Sequence, residues 1–107
     1  AYNVVIHEFA HKIDLRNGAA DGCPPLRSAA AHRAWQAVMQ AEYDAFREQA
    51  IVADRFGGEA PWLDPYGATE IGEFFAVACE GYFVDRERFA REHAALMPLF
   101  DGFFGPR

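Results

Sequence analysis

No apolar run in this 107-residue sequence approaches the roughly 20 residues that a membrane-spanning helix needs. No segment combines a basic start with a small-residue cleavage site, so none reads as a secretion signal. Positive charge is short: 10 Lys and Arg against 16 Asp and Glu leave a net charge of −6. That balance argues against nucleic acid, or an anionic membrane surface, as the main partner. Cysteine is scarce too. Cys23, in a Gly/Pro-rich loop, and Cys79, in an apolar helix, read as unpaired thiols in a reducing compartment, so the expected location is cytoplasmic. The chain has no internal repeat, no low-complexity run and no stretch alternating at period two, which leaves a single, mainly α domain over residues 1–107. It starts without Met, directly at an apolar segment, and so reads as a piece of a longer protein.

What is present is helical punctuation. Val4 to Leu15 lacks helix breakers and is expected to be a helix, stopped by Asn17-Gly18. A loop through Gly22-Cys23-Pro24-Pro25 follows. Ser28 is a plausible N-cap for a second helix running to about Ala53. Its apolar stripe is Trp35, Val38, Met39, Tyr43, Phe46 and Ala50, with Arg33, Gln36, Gln40, Asp44 and Arg47 on the wet side. Gly57-Gly58 ends it, and a Pro- and aromatic-containing loop leads to Thr69, the expected cap of a third helix, Glu70 to about Phe83. That helix is apolar nearly all round, as a central buried helix is. Asp85 is expected to cap a short fourth helix, and Ala94 to Phe104 to form a fifth with Pro98 near its first turn.

The stretch VVIHEFAHKID, Val4 to Asp14, holds His-Glu-x-x-His. On a helix, positions i and i+4 lie about 40° apart around the axis, so His7 and His11 project side by side. Two imidazole nitrogens at that separation can reach one zinc ion at about 2.0–2.1 Å each. Glu8, offset from both, is placed to act as base toward a metal-bound water and later to protonate the leaving amine. With this composition, roughly one random shuffle in a hundred would contain the motif somewhere. Two hydrogen-bonded core histidines are the bland alternative. A second signal weighs against it.

That signal is EIGEFFAVACE, Glu70 to Glu80. Glu73 precedes two Phe on a helix with almost no polar face, and a carboxylate buried there needs compensation. It is neutral, or paired with a base such as Arg16, Arg27 or Arg33, or it ligates a metal. Two His and one Glu leave a fourth coordination position open, the pattern of catalytic zinc. Glu80 lies about 20° from Glu73 around the helix axis, and Asp14 stands in the same relation to His7. Either carboxylate can orient a ligand imidazole through its other N–H, or serve at the surface. Tyr66, seven residues before Glu73, is a candidate hydrogen-bond donor to a developing oxyanion, and equally a packing residue.

NVVIHEFAHKID followed by RNG, Asn3 to Gly18, resembles the zinc-peptidase segment of the MtfA family. YGATEIGEFFAVACEGYF, Tyr66 to Phe83, resembles that family's second motif. Both blocks are also similar, more distantly, to the catalytic domain of anthrax lethal factor. The resemblance covers essentially the whole chain. It implies a zincin-like (gluzincin) catalytic domain of four to five helices and one catalytic Zn²⁺ on His7, His11 and Glu73. Glu8 would be the general base, and Tyr66 is part of the shared pattern. It also implies a cytosolic hydrolase, an aminopeptidase, linked to regulation of sugar uptake. The family's proteins are longer, and the region before the catalytic helix, which in related peptidases adds a substrate-binding strand, is missing here. Ile71-Gly72 replaces a Pro-containing turn.

The expected partner is a peptide or protein substrate, with no direct nucleic acid and no membrane. The alternative is a zinc-containing binding module that sequesters a sugar-responsive transcriptional repressor. Trp35, Trp62, Phe100, Phe103 and Phe104 are then candidates for its interface, or simply core. A zinc-stapled structural domain would need a fourth protein ligand, and His32 and His93 lie outside both motif helices, as expected surface residues.

Overall fold

A computed structural model describes residues 3–17 and 20–105. Five α-helices follow one another: α1 (Val4–Asp14), α2 (Ala29–Phe56), α3 (Ile71–Val84), α4 (Arg86–Glu92) and α5 (Met97–Phe104). Short 3-10 turns occupy Leu15–Asn17, Pro65–Ala68 and Ala94–Leu96, and the described residues include no strand. The mainly α expectation holds. No helix among the described residues is long and apolar enough to cross a membrane.

Local chemistry sets most boundaries. The Asn3 side chain caps α1 by accepting from the Ile6 N–H, and the Ser28 hydroxyl caps α2 by accepting from Ala31. α2 runs three residues past the expected Ala53, because nothing before Gly57, at φ 72°, breaks it. Its 28 residues, at about 1.5 Å each, account for the 42 Å long axis of the molecule. Asp85 caps α4 as expected, its side chain accepting from Arg88. Two expectations are corrected. Thr69 is not the cap of α3: its hydroxyl donates back to the Tyr66 carbonyl at 2.8 Å, closing the preceding turn, and Glu70 takes the cap position without a side-chain bond. Ala94 opens a 3-10 turn rather than α5, which begins at Met97 with Pro98 in its first turn. Gly18, expected to help stop α1, lies outside the described residues.

α3 is the hub. Phe74, Phe75, Ala76, Val77, Ala78, Cys79, Glu80 and Tyr82 are all buried, and α1, α4 and the Pro65–Ala68 turn pack around them. Full burial of each Phe contributes roughly 1.5–3 kcal/mol. Trp35 of α2 stacks on Phe100 at 5.6 Å and meets Phe75 edge-on, so those rings belong to the core. Tyr82 donates its hydroxyl to Asp101 at 2.6 Å, and Arg86 donates to the other oxygen of the same carboxylate, pinning α5. His93, expected at the surface, is only 12% exposed at its side chain; it sits against Phe46, Phe74 and Phe89 and pairs with Glu42 at 3.3 Å. His32 is half-buried and pairs with Asp21. Both cysteines are buried, and burial pushes the Cys23 thiol up to about 12.

Candidate metal centre

α1 and α3 pack face to face, and the pattern of α1 decides which side chains meet α3. His7, Ala10, Ile13 and Asp14 recur at spacings of three and four and form its buried face. Val4, Val5, Glu8, Phe9 and Lys12 form the outer one. His11 flanks the buried face and is half-exposed.

Glu73 projects from the first turn of α3 onto this pair. One carboxylate oxygen, Oε1, lies 3.0 Å from Nε2 of His7 and 3.0 Å from Nε2 of His11. The rings stand edge to face with centroids 4.8 Å apart. One ligand atom from each of the three residues lies within 4.8 Å of the other two. Donors about 2.0–2.1 Å from one tetrahedral ion stand about 3.3–3.4 Å apart, so this set needs little movement to close on a cation. Of the bases considered as partners for Glu73, Arg16, Arg27 and Arg33 are all exposed, and none forms an ion pair with it among the described residues.

The electrostatics point the same way. His7 has a carboxylate on each side, since its Nδ1 lies 2.7 Å from Glu80 Oε2. Burial works against its imidazolium form, but hydrogen bonds to Glu80 and Glu73 outweigh burial and raise the ring above its ordinary 6.5. A ring held between two carboxylates carries two protons, or one proton with another on the facing carboxyl, or one proton and a cation. Two imidazoles and a carboxylate make a nitrogen- and oxygen-rich donor set with one position left open, which fits zinc.

The remaining candidates divide. Glu8 and Tyr66 are exposed and are not members of the cluster; Tyr66, in the Pro65–Ala68 turn, is 55% exposed. That turn seats tightly on α3 because Gly67 has no side chain: a Cβ there would come within 2.5 Å of Val77 Cγ2 and 3.3 Å of the Phe74 backbone. Glu80 is completely buried against His7. Asp14, equally buried, instead accepts the backbone N–H of Gly22 at 3.0 Å, and burial lifts its carboxyl from 3.8 to about 6. Gly72 is closely packed. A Cβ there would press within 3.3 Å of both Asp14 Oδ2 and the Ala20 carbonyl. Sequence reasoning missed Asn3, whose cap to Ile6 was legible from its place just before the apolar run; its backbone bond to Glu80 was not.

Known proteins share this arrangement of sequence. A protein of Synechocystis sp. that carries only the description "uncharacterized" is 32% identical over 103 residues, 96% of this chain and 36% of its own length. Proteins named Mlc titration factor A are 40% identical over 106 residues in Edwardsiella ictaluri and 38% identical over 107 residues in Escherichia fergusonii. These alignments take in 96% and 97% of this chain and 38% of each relative. The chain thus spans about two-fifths or less of the length of the curated relatives it matches. A family model, described as glucose-regulated metallo-peptidase M90, matches residues 1–105. Nearly end-to-end agreement with that model makes the chain a member of the glucose-regulated metallo-peptidase M90 family.

Proposed function

We propose that this chain is the catalytic part of a zinc-dependent peptidase. His7, His11 and Glu73 hold the ion, Glu8 is the general base, and Tyr66 is the hydrogen-bond donor to the oxyanion. The convergence of three ligand atoms from two separate helices carries the reading. Bound there, zinc supplies Lewis acidity toward the attacking water and the scissile carbonyl. Glu8 follows His7 directly on α1 and is exposed, so its carboxylate meets solvent and substrate without being desolvated first. It takes a proton from the water and returns it to the departing amine. The Tyr66 phenol donates to the carbonyl oxygen as that oxygen gains negative charge. Family membership supports hydrolysis of peptide bonds by a metal-dependent route and a link to glucose regulation. We extend the reading, on resemblance, to aminopeptidase-type cleavage in the cytoplasm.

The second reading is a zinc-containing module that sequesters a sugar-responsive transcriptional repressor. Two observations favour keeping it. The relatives' name describes titration of Mlc. A groove of about 680 Å³ between α2 and α5, lined by Trp35, Val38, Leu99 and Phe103, also offers apolar surface.

Metal content and peptide turnover of Glu8→Ala and His11→Ala test the first reading. Glu8→Ala is expected to keep stoichiometric zinc and lose turnover; His11→Ala is expected to lose both. Equal loss of zinc in the two variants sinks the assignment of roles. If Glu8→Ala still captures the repressor while wild-type protein shows no turnover, the second reading replaces the first.

A further inference from the structure

We infer that Glu80 is a positioning residue of the metal centre, its two carboxylate oxygens fixing both the ring of His7 and the first turn of the helix that carries it. The inference rests on the zinc reading only for what the ring is positioned to hold.

Glu80 has no exposed surface and lies on a helix whose residues Phe74 to Tyr82 are all buried, where an unpartnered carboxylate is strongly disfavoured. Both oxygens are in use. Oε2 lies 2.7 Å from Nδ1 of His7, and Oε1 accepts the backbone N–H of Asn3 at 2.5 Å. Asn3 in turn caps α1: its side chain accepts from Ile6 N–H at 3.1 Å and its carbonyl from His7 N–H at 3.0 Å. The contacts close a circuit from Glu80 to the cap, along the first turn to His7, and back through the ring. Helix starts carry unsatisfied N–H groups and fray. Here the start is anchored from a different helix, 77 positions away in sequence.

Both carboxylates only accept when ionised; the shorter contact, 2.7 Å to the fully buried Glu80 against 3.0 Å to Glu73, places the single proton of a neutral His7 on Nδ1. The lone pair of Nε2 then faces Glu73 Oε1, 3.0 Å away, on the side where a cation would be held. Among the described residues His11 has no comparable second partner, so the two imidazoles differ: one is held by a second carboxylate and the other is free to adjust. Glu80 and Glu73 lie seven residues apart on α3, which brings them to the same face of that helix, one behind the ring and one in front.

The test begins with the wild-type, metal-free protein, its histidines labelled with ¹⁵N, at an alkaline pH where the ring is neutral. His7 is expected as the Nδ1–H tautomer. In Glu80→Gln one amide oxygen meets two donors, so the tautomers should mix. Competition against a chromophoric chelator should then show zinc binding weakened about 10- to 100-fold, with the His11 ring signals unchanged. A role in anchoring the helix start alone would leave the tautomer unmoved. An Nε2–H tautomer in wild-type His7 overturns the inference even if Glu80→Gln fails to fold. So does a folded Glu80→Gln protein with wild-type zinc affinity. A protein with no zinc affinity and His7 held as Nδ1–H would sink the zinc reading while supporting the tie between His7 and Glu80.

Discussion

The backbone N–H of Gly22 donates to both carboxylate oxygens of Asp14, at 3.0 and 3.2 Å, tying the loop after α1 to that helix's last turn. Asp14 has no exposed surface. Burial raises its carboxyl to about 6 from 3.8, and the Gly22 hydrogen bond only partly opposes burial. The folded protein therefore binds more protons than the unfolded chain between these values. The group's contribution is fully present below about pH 4 and is lost as pH rises through about 6. A shift of this size corresponds to on the order of 2–3 kcal/mol. Asp14→Asn keeps an acceptor for Gly22 and removes the titration. The metal-free variant should thus lose less thermal stability than wild type from pH 4 to pH 7. Parallel melting curves across that range would contradict the account.

Gly67→Ala should destabilise the fold by about 1–3 kcal/mol, the usual cost of overpacking. Its new methyl group would meet Val77 Cγ2 at 2.5 Å. Adding Val77→Ala removes that contact, so the double variant should recover part of the loss, a coupling of about 0.5 kcal/mol or more. Urea denaturation of the four proteins measures it. Strict additivity would mean that the turn moves away rather than pressing on α3.

Glu73→Gln tests the centre itself. It leaves a neutral oxygen facing both imidazoles, so zinc affinity should fall further than the 10- to 100-fold typical of outer partners. Chelator competition reads this directly. Retention of wild-type affinity would show that the carboxylate is a mere hydrogen-bond partner of the histidines.

Tyr66→Phe removes one hydroxyl from an exposed turn residue. Stability and zinc content should be unchanged. Turnover should fall by about 100- to 1,000-fold, as when a single oxyanion donor is lost elsewhere, and the loss should appear in kcat rather than KM. An unchanged kcat assigns Tyr66 to the surface.

Much of this architecture was legible because helix ends are chemically marked. Ser28, Gly57 and Asp85 each stand where the sequence places them. The misplaced boundaries have a common cause: Thr69 closes one 3-10 turn and Ala94 opens another, both turns adjoin helices, and local propensity does not distinguish such turns from the helices they adjoin. For the site, spacing put His7 beside His11 and singled out Glu73 as a carboxylate in apolar surroundings. It could not separate Asp14 from Glu80. Each sits one helical repeat from a candidate ligand, and only the docking of α1 on α3 sends Glu80 to His7 and Asp14 to the Gly22 loop. His93 was misjudged for a similar reason, since the rings that cover it come from α2, α3 and α4.

The donors of the centre come from two segments: His11 and Glu73 are 62 positions apart, and α2 lies between them. An ion held there is a cross-link closing a long loop, so its binding energy is added to the docking of α1 on α3. A chain that has formed only its individual helices has no such site and stays blind to the metal. On the zinc reading proposed above, removing the ion from the folded protein should accordingly loosen the seam between these two helices first, leaving the aromatic packing around Trp35 and Phe100 in place.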